Sequence, residues 1–287
     1  MANGCELITT KDEYTEYTLY NDAWLGQKEK FERKLEYLAT LAKEENWDFV
    51  DEEYKVPGKK YPILENYLIF TYDRLKQENK IAISKDGEYM CFNTGLQTQY
   101  DEDIYAFFMR NNKPNVKQKW FFVKFCKESD ADLAKFSPLP EIANYFENPA
   151  DLLLDRRLLP IRINYEHIIK DNRDRFKQCV SYNEHELRQA LESAVKQAEK
   201  KAIRNYKTAI PQFYTNKQTG ESKIQLLLPL CIKDKINVDL ALVVEKQENA
   251  YIAKTVLPLD WAYMNSRRIA RPDTDWINFL FKEQKEQ

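Results

Sequence analysis

Glycine is scarce in this chain: six occur among 287 residues, against a usual share of about 7%. Loops that cradle phosphates need several glycines close together. Neither G-x-G-x-x-G nor G-x-x-x-x-G-K-[ST] can be assembled from Gly4, Gly26, Gly58, Gly87, Gly95 and Gly220, so the dinucleotide and P-loop folds lose their anion site. G-x-S-x-G is also absent, which excludes a nucleophile elbow. Histidine occurs only twice, and His185-Glu186 has no second histidine four residues on, so the zinc-protease helix is excluded too.

Five cysteines lie at least 35 residues apart without a C-x-x-C pair, which argues against both a disulfide framework and a zinc knuckle. They are expected as free thiols in a reducing, cytoplasmic compartment. No apolar run approaches the ~20 residues of a membrane span, and the first 30 residues are acidic rather than basic, unlike a secretory leader. No membrane association, metal or cofactor is expected.

What is present is a core and a charge asymmetry. Hydrophobic residues make up 43% and charged ones 31%, too much apolar material for a disordered chain. Residues 1–53 hold 14 acidic and 6 basic side chains, a balance of −8, so with a total of −2 the remainder carries +6. An acidic leading part offers a protein-docking surface, and a basic body offers one for polyanions.

The pattern predicts an α+β fold of antiparallel sheets flanked by helices, with a C-terminal β-meander. Residues 1–20 are expected as a loosely ordered lead, and 21–287 as one α+β domain that divides at most into sublobes 21–147 and 148–287. Phe31, Leu35, Leu38 and Ala42 repeat at helical spacing within 27–46, and a second helix starts at Pro62 with Leu64, Tyr67, Leu68, Thr71 and Leu75 on its stripe. Asp86-Gly87 between two apolar runs signals a hairpin. A short helix is expected over 103–110, then a third strand over 119–125 beside that hairpin. A strand over 158–163 leads to a helix from Tyr165. Ser181 with Glu184 has the form of a capping box for a helix over 181–207, whose stripe runs from Leu187 to Tyr206. Extended segments over 209–214, 223–232, 238–245 and 251–257 form the meander, closed by helices from about Asp260 and Asp273.

Three groups of residues carry candidate chemistry. Asn93 at the end of the hairpin, Lys124 and Lys127 after the aromatic strand, and Arg162, Asn164 and His167 are expected at strand ends of one sheet. The lysines suit a phosphate as point charges, and His167 is the weak candidate for general acid or base catalysis. Lys196, Lys200, Arg204 and Lys207 align on one face of the long helix. Arg267 and Arg268, beside Trp261 and Tyr263, form a second basic group, with Asn93, Gln212 and Tyr214 placed to approach bases.

Phe92-Asn-Thr-Gly-Leu96, Trp120-Phe-Phe through Phe125-Cys-Lys-Glu-Ser-Asp130, Asn144-Tyr-Phe, Arg162-Ile-Asn-Tyr-Glu-His167, Pro211-Gln-Phe-Tyr214, Gln225-Leu-Leu-Leu-Pro-Leu230, Asp239-Leu-Ala-Leu-Val-Val244 and Ala262-Tyr-Met-Asn-Ser-Arg267 occur together and in order. As a set they resemble the bacterial family known as domain of unknown function 3825, from about Leu35 to Trp276. Members of that family stand in some larger proteins beside small RNA-binding modules, which implies an RNA- or nucleotide-related role by association. The resemblance supplies no reaction and no catalytic residues. The expected function is therefore an RNA- or nucleotide-binding module with a basic, aromatic phosphate-contacting surface. The alternatives are a phosphoester- or nucleotide-processing enzyme with a pocket around His167, and a protein-interaction scaffold using the acidic N-terminal segment.

Overall fold

The computed structural model of the chain describes residues 18–114, 116–215 and 221–277. The expected lead lies mostly outside them. The chain divides into two compact units, the first ending at Tyr145 and the second running on from Phe146. The fold is α+β.

In the first unit, α1 (Thr18–Asp22) leads into β1 (Ala23–Trp24), and α2 (Lys28–Leu41) and α3 (Pro62–Gln77) follow. Both long helices form where the spacing places them. Phe31, Leu35 and Leu38 of α2 are buried, and α3 opens with Pro62 in its first turn, where a missing N–H costs nothing. Ala42, expected on the helical stripe, is already extended and bridges Thr98.

The five-stranded sheet has the order β1-β5-β4-β3-β2, with β2 (Ala82–Ile83), β3 (Tyr89–Gln97), β4 (Asp103–Arg110) and β5 (Trp120–Lys127). The hairpin turns at Gly87, whose φ of 75° is the left-handed conformation that glycine supplies freely. Two expectations are corrected here. Residues 103–110 are the central strand rather than a helix, and β5 pairs with β4 rather than with the hairpin. Ile104 to Phe108 is buried at every position, and a strand covered on both faces shows no period-two alternation by which to tell it from a short buried helix. One face packs against α2, with Phe31 at 6.1 Å from Phe122. On the other, Cys91, Tyr105, Phe107 and Cys126 lie under Leu133 and Phe136.

In the second unit, α4 (Tyr165–Asp171), α5 (Arg173–Cys179) and the 21-residue α6 (Glu184–Arg204) precede the meander. Its strands, β6 (Ile210–Thr215), β7 (Ser222–Leu230), β8 (Leu240–Lys246) and β9 (Tyr251–Leu257), pair in chain order, as the turn spacing predicts. Leu187, Leu191, Ala194, Ala198 and Ala202 of α6 bury against Leu226, Leu228 and Leu230 of the sheet. The helix α7 (Leu259–Ser266) follows β9. Residues 275–277 are helical, and the remainder of the helix expected from Asp273 lies outside the described residues.

Three local expectations differ from what forms. The segment 158–163 is no strand of the first sheet. It holds a 3-10 turn, Arg156–Leu158, and a single parallel bridge from Arg162 to Ile252 of β9, and Pro160 between them has no N–H to give a ladder. The capping box is Asn183 with Glu186, each side chain bonding the other's backbone N–H, two residues beyond the Ser181 pair. Both pairs fit the pattern, and asparagine caps as well as serine. Finally, α6 stops at Arg204, so Tyr206 and Lys207 occupy a following 3-10 turn, Tyr206–Thr208, instead of the helical stripe.

Candidate nucleic-acid interface

The end of α6 keeps most of the cations expected on it in the open. Its apolar stripe faces the meander, which turns the polar side chains outward. Lys196 is bridged to Glu192 at 2.7 Å, one turn earlier, and this hydrogen bond raises the lysine pKa and lowers that of the glutamate. Lys200 and Arg204 are exposed and form no ion pair among the described residues. Arg204 Nη1 instead donates to the Lys200 carbonyl at 3.0 Å, holding the guanidinium along the last turn. Lys207 reaches Asp273 at 3.6 Å. Lys201 turns inward, its Nζ 3.4 Å from Cys231 Sγ, and Glu199 is also drawn in, accepting from the Ile161 N–H at 2.7 Å. Ile203 and Tyr206, 38% and 61% exposed, lie among these cations. The expectation assigned Tyr206 to the buried stripe; the helix end at Asn205 releases it.

The second basic group is not an open surface. Arg267 and Arg268 are 8% and 7% exposed, since α7 packs across β6 and β8 and carries the following residues into the unit. Their stems bury as apolar chain, and Arg268 Nη1 stands 3.5 Å from the Phe213 carbonyl. Gln212 is likewise buried. Its Nε2 donates to Gln225 Oε1 at 2.9 Å, and Gln225 Nε2 donates to Glu245 Oε2 at 3.2 Å, so a polar ladder crosses β6, β7 and β8. A carboxylate only accepts, which fixes the direction of both amides. Tyr214 shares that face, partly buried.

Most of the remaining candidates are committed to local structure. Asn93 is 2% exposed, donates to Asp103 and accepts from the Gly95 N–H at 2.9 Å, shaping the irregular end of β3. Lys124 lies 3.0 Å from both Asp130 and Asp132, and hydrogen bonds to these carboxylates push its pKa well up. Asp130 caps the turn that follows, and the Ser129 hydroxyl donates to Glu102. Lys127 is exposed. Asn164 caps α4, accepting from the His167 N–H at 3.1 Å. His167 Nδ1 lies 3.2 Å from Asp171 one turn on, with the side chain 55% exposed. Arg162 bonds β9 through its backbone and exposes its side chain. Asn93, Lys124 and Lys127 belong to the first unit, and Arg162, Asn164 and His167 to the second, so no single sheet gathers them.

Among the described residues no three or more His, Cys, Asp or Glu side chains are grouped as for a metal ion, and no helix is long and apolar enough to cross a membrane. Cys91, Cys126, Cys179 and Cys231 are free thiols.

Residues 38–276 match the family described as Domain of unknown function (DUF3825), and the chain belongs to it. No curated protein and no solved structure matches the chain.

Proposed function

We propose that the protein is an RNA- or nucleotide-binding module whose phosphate contacts come from Lys200 and Arg204 at the end of α6. The observation that carries this reading is the exposure of both cations, without ion pairs among the described residues, beside the open ring of Tyr206. Cations near a helix C-terminus stabilise the dipole whatever else they do, so charge alone would say little. An exposed tyrosine set among them adds a flat face on which a base can stack. The pocket-based enzyme reading draws no comparable support, because Asn164 serves as a cap and His167 pairs with Asp171.

Fluorescence anisotropy with a labelled 12-nucleotide single-stranded RNA tests the proposal. Affinity falls as salt rises, giving a negative slope on a log–log plot through counterion release, and Lys200→Glu with Arg204→Glu weakens binding at every salt. No binding at low salt, or unchanged binding by the double variant, removes this function or this site respectively.

A further inference from the structure

The first unit holds a second surface of the same chemical kind, built from residues outside the site just described. From Ile104 to Lys127 the chain carries six basic residues, Arg110, Lys113, Lys117, Lys119, Lys124 and Lys127, and no acidic one. This stretch is β4 after its opening Asp103, then the connection and β5.

Among the described residues its outward sheet face is covered at one end only. Leu133 and Phe136 close it over Tyr105 and Phe107. At the far end of β4, Met109 is 42% exposed. Met109 is directly opposite Phe121 on β5 and Tyr89 on β3, and Phe121 is opposite Trp24 on β1, with the two rings 5.4 Å apart. Trp24, Phe121 and Tyr89 are all only partly buried. Paired residues share a face, so Trp24, Phe121, Met109 and Tyr89 form one row across four strands, about 14 Å wide at ~4.8 Å per strand.

Ammonium groups stand over the two ends of the row. Lys113 Nζ lies 4.1 Å from the Trp24 ring centroid, exposed and with no ion pair among the described residues. Lys135 Nζ lies 5.0 Å from that of Tyr89, sharing its charge with Asp132 at 2.8 Å. Such contacts mark ring faces that suit a cation or a flat π-system, and for Tyr89 this is the one face left, since its ring already stacks on Phe107 at 5.6 Å.

We infer that this row is a stacking platform for single-stranded nucleic acid, with bases on Trp24, Phe121 and Tyr89 and phosphates met by the acid-free β4–β5 connection. The inference rests on the nucleic-acid reading above for its ligand class, but not on α6. Rings at sheet spacing need splayed bases, which a duplex hides within its stack, and the exposed Lys113, Lys117 and Lys119 of a connection without acidic residues favour a polyanion over a neutral or basic partner. A base arriving on Trp24 takes the face under Lys113, and the ammonium moves to the adjoining phosphate.

The test measures binding of the labelled 12-nucleotide RNA to the whole chain, with a duplex of the same sequence as competitor. Trp24→Leu and Phe121→Leu are each expected to weaken binding about 5- to 100-fold, and Lys113→Glu, which touches no core, at least several-fold. The duplex competes poorly. Circular dichroism checks that the variants fold. Parental affinity in all three folded variants while Lys200→Glu with Arg204→Glu abolishes binding would overturn the platform and leave the α6 reading intact; the converse would move the site to the sheet. Equal competition by the duplex also overturns it, as does capture of an acidic peptide in preference to RNA. Absence of RNA binding by the parent chain defeats both.

Discussion

The outward faces of the two sheets use opposite means. In the second unit the face carries glutamines and a glutamate, with Arg267 and Arg268 just after α7, and most of these groups are tied up locally: Gln212 bonds Gln225, Gln225 bonds Glu245, and Arg268 points at a strand carbonyl. In the first unit the corresponding face carries rings, and part of it remains open beside Lys113. Polar character therefore does not mean availability, nor does aromatic character mean burial. A buried polar group must find a partner inside or lose roughly 1–3 kcal/mol, so polar side chains on a covered face are consumed by the fold. An aromatic ring on an uncovered face stays free for a ligand.

The largest expected effect separates the two faces of the first sheet. Phe108 is fully buried, 5.1 Å from Phe122 and 5.7 Å from Phe92, so Phe108→Ala should lower stability to urea by ~3–5 kcal/mol. Trp24→Leu should cost only ~1 kcal/mol, the worth of one aromatic pair at a partly wet site. Comparable losses would make the row core and end the contrast.

A buried acid without full satisfaction comes next. Burial pushes the Asp73 carboxyl up to about 6 against hydrogen bonds from Thr18, and its Oδ1 is buried with no hydrogen-bond partner. The folded state thus holds this proton more tightly than the unfolded chain, whose aspartate titrates near ~3.9. Stability from this group is greatest below about pH 4, declines as pH rises to about 6 and is flat above that, with a total of at most ~3 kcal/mol. Asp73→Asn should remove the decline, gaining stability at pH 7 relative to the parent. A parental pH profile in the variant would show that the carboxyl titrates normally.

In the second unit, Gln225→Leu breaks the ladder in the middle and strands a donor on Gln212, so it should cost ~1–3 kcal/mol. A neutral result would mean that the amides are solvated and that Gln212 is accessible after all. The smallest effect concerns the helix start: Asn183→Ala should destabilise by ~1 kcal/mol and Ser181→Ala by less than ~0.5 kcal/mol. Equal losses would divide the capping role between them.

The same contrast explains what was legible. The meander was read correctly because short turns separate runs such as Leu240 to Val244, and β-branched residues favour strands. The strand β4 was not: Asp103-Ile-Tyr-Ala-Phe-Phe-Met-Arg110 opens with an acid and closes with a base, as a helix would, and full burial erases its alternation. The long helices were legible from their 3.6-residue period, and Lys200 and Arg204 with them. Arg267 and Arg268 were misplaced since nothing local reveals that α7 carries them inward. The aromatic row was missed for a related reason. Trp24 is nearly a hundred residues from Phe121, and only the parallel pairing of the two-residue β1 brings the rings together. One signal was available, the absence of any acid from Ile104 to Lys127.

Ultraviolet crosslinking of the 12-nucleotide RNA to the intact protein, followed by mass spectrometry of the peptides, tests most directly which groups are available. Adducts are predicted on peptides containing Trp24, Tyr89 or Phe121 and on the one containing Arg204 and Tyr206. Adducts confined to the peptides of Arg267 and Arg268, or of Arg162 to His167, would contradict the account.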